Sequence, residues 1–96
     1  VLDATCDLQY ILCGTILENG QQNEFDDAFK DVHDSNMSKL CKDMEEVILT
    51  IQDYQSKGIN VVYKEMSKGL IAIIRESDNK VLKSINYKPV DLTKYV

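Results

Sequence analysis

Apolar and polar positions along this chain follow two different periods, and the switch between them marks out its elements. Over residues 1–19, Leu2, Cys6, Cys13, Ile16 and Leu17 recur at helical spacing, with Leu8, Ile11 and Leu12 between them. So little polar surface remains that the segment is expected to be a buried central helix. Asn19-Gly20 should end it, since both residues tolerate the left-handed conformation that closes a helix. Asn23 then caps a second helix, with Glu24, Asp26 and Asp27 in the first turn, where the helix dipole favours anions. Its buried stripe is expected at Phe25, Phe29, Val32, Met37 and Leu40. A link as short as Gln21-Gln22 predicts that these two helices pack as an antiparallel hairpin.

The spacing predicts a third helix over about residues 43–57. Asp43 with Glu46 three positions on is a capping-box spacing, Asp standing where Ser or Thr is usual. Met44, Val47, Ile48, Ile51 and Tyr54 form its apolar stripe, and Gly58 stops it. Beyond Gly58 the period becomes two. Residues 59–66 and 70–75 read as a β-hairpin around Ser67-Lys68-Gly69, and a third short strand follows over 80–85. Pro89 holds Lys88 extended, so the tail from Asn86 is a loop folded back over helix ends, finishing in one helical turn near Tyr95.

Composition narrows the class. With 96 residues the chain makes one domain with one modest core. A net charge of −5 opposes nonspecific nucleic-acid binding, because a phosphate backbone would be repelled. No run approaches the ~18 apolar residues of a membrane span, and no signal-peptide pattern opens the chain. A cytoplasmic protein without membrane or nucleic-acid partners is expected. The three cysteines, Cys6, Cys13 and Cys41, read as reduced core thiols. The apolar pattern is already running at Val1 with no capping residue ahead of it, which predicts that the natural protein extends upstream.

Candidate chemistry sits in the first helix. Asp3 and Asp7 are one turn apart and so share a face, their Cβ atoms about 6 Å from each other. Two like charges on an apolar helix need water, a Lys or Arg, or a divalent cation against them. The expected hairpin brings the polar end of the second helix alongside, with the Asn36 amide and Lys39 as donors for phosphate oxygens. Magnesium suits such a place, since it takes one or two carboxylates and completes its shell with phosphate and water. Each residue also has a plainer reading. The two aspartates can mark a solvated edge, Asn36 a cap, Lys39 a cation at a helix C-terminus, His33 a surface histidine, and Lys83 the wet face of a strand. Tyr10 is either core or a stacking surface for a base.

Four stretches carry a resemblance. Leu2-Asp3-Ala4-Thr5-Cys6-Asp7-Leu8-Gln9-Tyr10, Gly14-Thr15, the block from Val32 through Ser35-Asn36-Met37-Ser38-Lys39 to Leu40, and the run from Asp78 through Lys80-Val81-Leu82-Lys83 to Leu92 resemble the MazG-like all-α nucleoside triphosphate pyrophosphohydrolases. The nearest branch is the phage and bacterial set described as phosphoribosyl-ATP pyrophosphohydrolase-like. The likeness covers residues 1–40 and 78–92; the third helix and hairpin between them look like an elaboration on that core.

The resemblance implies hydrolysis between the α- and β-phosphates, with a nucleoside monophosphate and pyrophosphate as products. It implies magnesium, with manganese as an alternative, held by a Glu-x2-Glu pair on one helix and a Glu-x2-Asp pair on the next. Asp3 fits the last of these ligands and Asp7 lies beside it. The Glu three positions before Asp3 would precede Val1, and the Glu-x2-Glu helix has no counterpart in these 96 residues. Asn36 and Lys39, with Lys83 and Tyr10 as further contacts, would bind the nucleotide. No side chain is assigned as a base, since a metal-bound water held by a carboxylate serves.

The expected architecture is therefore mainly α: an antiparallel helical hairpin plus a third helix, in a MazG-like bundle with an appended small β-hairpin. Residues 1–40 would form the helical core with the metal and phosphate site, 41–85 the elaboration, and 86–96 the C-terminal loop. Too few helices are present to enclose a bundle core, which predicts a homodimer or higher homo-oligomer. Two other functions stay open. One is a small helical interaction module whose hairpin edge adds a strand to a partner. The other is a remnant that binds nucleotide without cleaving it.

Overall fold

The period-two stretch after Gly58 folds as a three-stranded antiparallel meander in the computed structural model, which describes residues 1–96. β1 (Val61–Glu65) pairs with β2 (Ile71–Arg75), and β2 with β3 (Val81–Leu82). The register sets Ile73 between Tyr63 and Leu82, so the middle strand's central residue is fully buried. A tight turn joins β1 to β2, with Lys68 and Gly69 at φ of 61° and 75°. Glycine takes that left-handed conformation without strain, and the lysine before it carries the cost.

α3 (Met44–Ser56) begins where Asp43 accepts a hydrogen bond from the Glu46 amide at 2.8 Å. It lies against β1 and β2 and brings Val47, Ile51 and Tyr54 onto Val61, Ile71 and Ile73. Cys41, bridged to Ile71 by two backbone hydrogen bonds, completes this core. Ile48, counted in the apolar stripe, is half exposed, whereas Glu46 and Thr50 are buried. The inward face of α3 therefore runs through Glu46, Val47, Thr50, Ile51 and Tyr54.

This overturns the expected mainly α bundle. Helical segments cover 51% of the residues, but the core is built by a sheet and the one helix laid across it. The hairpin is not appended to a helical core; it is the centre of the molecule's one buried cluster. Burial of alternating β-branched residues on a central strand explains why: Ile73 has a helix on its inward side and a strand on either edge, and Ile71 lies between β1 and the Cys41 bridge.

Contacts divide the chain into two compact units, Val32–Val90 and Val1–Asp31 with Asp91–Val96. The first holds the sheet, α3 and the end of α2 (Phe25–Met37). The second holds α1 (Leu2–Glu18), the start of α2 and the C-terminal segment. α1 has no buried residue, and Leu2, Leu8, Ile11 and Leu17 are all more than half exposed. The expectation of a buried central helix is corrected accordingly, as is that of a packed helical hairpin, since α1 and α2 share no extended contact. An apolar pattern that runs round the whole helix selects no face to bury. Cys6 and Cys13 are exposed with it, so the core-thiol reading holds for Cys41 alone.

In the same unit the tail closes on α2. The Tyr95 hydroxyl donates to Asp31 at 2.6 Å, and the Lys94 ammonium meets the same oxygen at 3.0 Å. These donors hold the Asp31 carboxyl below its usual range. No helix of the protein is long and apolar enough to cross a membrane.

Candidate functional site

Polar side chains at the end of α2 fasten a distant part of the chain. Ser35, buried in the last turns of the helix, donates from Oγ to the Lys88 carbonyl at 2.8 Å. Ser38 Oγ accepts from the Lys88 amide at 3.0 Å and donates to the Ser35 carbonyl at 2.6 Å. The Lys39 carbonyl accepts from the Ser84 amide at 2.9 Å. Residues 84–88 are thereby held against the Ser-Asn-Met-Ser-Lys block, and the expected fold-back of the tail loop is present there.

α3 grips the same segment from its other side. Thr50 Oγ1 donates to the Glu46 carbonyl at 2.8 Å and accepts from the Ile85 amide at 3.2 Å. The Ser84 hydroxyl donates to Glu46 Oε2, and Ser84 Oγ also accepts from the Asn86 amide at 3.2 Å. Tyr54 donates to the Lys83 carbonyl at 2.6 Å. Every buried polar side chain in this network has a partner, as burial at low dielectric requires. Burial pushes the Cys41 thiol up, which leaves it a packing group and no nucleophile.

A cleft of about 690 Å³ opens where these elements meet. Asp34 and Met37 of α2 line it with Ser38 just beyond the helix, together with Lys42 and Glu46 and with Asn86, Tyr87 and Lys88. Two acidic and two basic residues thus line the cleft, with Leu40 and Leu70 among its apolar lining. Lys83 does not line the cleft; its ammonium lies 4.6 Å above the Tyr87 ring centroid, a cation–π contact that steadies the ring.

The residues singled out from the sequence are distributed over both units. Asp3 and Asp7 lie on successive turns of α1, exposed, with no hydrogen bond or ion pair to either carboxylate. Asp3 is in the first turn, where the helix dipole favours it. Tyr10, 83% exposed on the same helix, is not a core residue. Asn36, Lys39 and Lys83 belong to the unit that contains the cleft, although none of the three lines it. His33 is exposed on α2. No group of three or more His, Cys, Asp or Glu side chains is placed to hold a metal. The donor chemistry of Asp3 and Asp7, two hard oxygen ligands a turn apart facing solvent, suits magnesium shared with phosphate oxygens.

Glu46 is the residue that the sequence pattern concealed. Its spacing from Asp43 makes it a capping residue, and its amide does receive the cap. Its carboxylate goes elsewhere, to Ser84, across 38 positions of sequence. The available signal was a polar pair, Glu46 and Thr50, one turn apart beside Val47, Ile51 and Tyr54 on one helix face. Comparison of the chain with known protein families, with curated proteins and with solved structures finds no match.

Proposed function

We propose that the protein is a magnesium-dependent nucleoside triphosphate pyrophosphohydrolase, releasing nucleoside monophosphate and pyrophosphate and so acting in nucleotide-pool control. One observation supports this beyond the sequence resemblance. The segments 32–40 and 78–92, which carry the likeness, are far apart in the chain yet are held together by Ser35, Ser38, Lys39, Ser84 and Lys88. Their meeting place is a cleft of about 690 Å³, inside the roughly 300–1,000 Å³ range of small-molecule sites.

In this reading Asp3 and Asp7 hold the metal, magnesium or manganese. Bound there, the ion supplies charge neutralisation for the phosphates and lowers the pKa of a bound water. Asn36 and Lys39 orient and neutralise phosphate oxygens, and Lys83 is an auxiliary cation. The exposed apolar sides of α1 favour a homodimer or higher homo-oligomer, in which another copy supplies further carboxylates.

The test is pyrophosphate release from a panel of nucleoside triphosphates with magnesium or manganese, on the chain with any native upstream sequence retained. Release that disappears in Asp3→Ala is expected. No pyrophosphate from any nucleotide, or release indifferent to Asp3→Ala, removes the enzyme reading. Nucleotide-dependent thermal stabilisation without product would then identify a binding remnant. β1 supports a second reading of another kind: it is an edge strand with Val62 and Tyr63 substantially exposed, a surface on which a partner's strand can add.

A further inference from the structure

The formal charges around the cleft cancel, Asp34 and Glu46 against Lys42 and Lys88. A polyphosphate gains little from such a field, whereas a neutral ring with hydrogen-bonding edges fits it. The rest of the lining agrees: Met37 and Leu70 are apolar, Tyr87 is aromatic, and Asn86 offers an amide. A nucleotide is recognised in such a place by its base and sugar.

Glu46 is the buried acceptor in the cleft lining. It is only 7% exposed, and its Oε2 is occupied by the Ser84 hydroxyl, itself tied to Lys39 through its amide and to Asn86 through its oxygen. The carboxylate is therefore held in place at the cleft wall. A carboxylate accepts hydrogen bonds and donates none. Its remaining lone pairs suit the exocyclic amino group of cytosine, adenine or guanine. Uracil and thymine bear a carbonyl oxygen where cytosine bears its amine, and two acceptors facing each other in a buried setting repel.

We propose that this cleft is a nucleoside pocket selective for amino-bearing bases, with Glu46 as the residue that selects. The inference rests on the nucleotide reading above for the kind of ligand. Lys42 and Glu46 lie in residues 41–76, outside the stretches that carry the family resemblance, so the elaboration would be what sets the choice of base.

Cytidine and uridine, which differ at C4 (amine against carbonyl oxygen) and in the proton that uridine carries on N3, are the discriminating probes, titrated without metal into the full chain and followed by two-dimensional NMR. Cytidine is expected to bind at least about tenfold tighter than uridine. Inorganic pyrophosphate should not displace it. Glu46→Gln, whose amide oxygen can still accept from Ser84, should bring the two nucleosides within about twofold of each other, because an amide both donates and accepts. Tyr87→Leu, which leaves the Glu46 network intact, should weaken both nucleosides alike. Equal affinity for the two, no binding of either, displacement by pyrophosphate, or indifference to Tyr87→Leu would each overturn the pocket. Its fate separates cleanly from that of the hydrolase reading. Absence of pyrophosphate release with nucleoside discrimination intact strikes only the enzyme. Release at equal rates from cytidine and uridine triphosphates, unchanged by Glu46→Gln, strikes only the pocket.

Discussion

α1 and α3 are both rich in apolar residues, and only one of them is buried. α1 is the longer, 17 residues against 13, and has no side-chain cap at its start; none of its residues is buried. α3 is capped by Asp43 and buries Glu46, Val47 and Thr50 against the sheet. The difference lies in arrangement: α3 turns Val47, Ile51 and Tyr54 onto one face that matches Val61, Ile71 and Ile73 and leaves Met44, Ile48 and Leu49 outside, while α1 spreads its apolar groups all round. Apolar content makes a helix sticky, and a matched surface makes it part of a core.

The largest effect should come from the centre of that matched surface. Ile73→Ala is expected to cost about 3 kcal/mol of folding stability, as transfer and cavity terms add at a fully buried site. Urea denaturation measures it. Next comes Ser84→Ala, which leaves the buried Glu46 carboxylate without its partner. About 2 kcal/mol is expected from an orphaned charged acceptor, together with faster amide exchange at Ile85 and Asn86. Leu8→Ala on α1 should change stability by less than about 0.5 kcal/mol, since the side chain is 68% exposed. A loss there as great as that of Ile73→Ala would break the contrast, and dependence of that loss on protein concentration would locate the missing surface in a second copy.

The smallest effect is electrostatic. Arg75, at the end of β2, binds Asp78 through two hydrogen bonds of 2.6 and 2.9 Å and lowers its carboxyl to about 2. A carboxyl depressed on folding adds stability above its ordinary value of 3.8, and that increment is lost as pH falls toward 2. Both partners are solvent-exposed enough for screening to keep the increment small. NMR titration of the Asp78 carboxyl should give a midpoint near 2, and Arg75→Gln should raise it part of the way toward 3.8, the Lys80 amide still donating to Asp78.

Local pattern made the secondary structure legible. The change of period at Gly58 located the hairpin, and Asp43 with the Met44–Tyr54 stripe located α3, because a few neighbouring residues decide each of these. What pattern could not convey was which elements share a core. Helix one looked central because it is apolar, yet apolarity does not say what covers it. The cleft was illegible for a related reason. Its staples run from Ser35 to Lys88 and from Glu46 to Ser84, pairs of ordinary polar residues 53 and 38 positions apart, with no short-range signature. Asn36, Lys39 and Lys83, singled out in the sequence, lie in the same unit as the cleft without lining it, and the lining residues Glu46, Asn86 and Tyr87 were not singled out.

Those staples also bear on how the protein is made. During synthesis α3 and the β1–β2 hairpin leave the ribosome before Ser84 does, so for that interval the Glu46 carboxylate faces a half-built interior with water as its partner. Only the arrival of residues 84–88 seals it. A chain truncated before Ser84 should therefore be a substrate for proteases and chaperones, and one that extends past Lys88 should resist them.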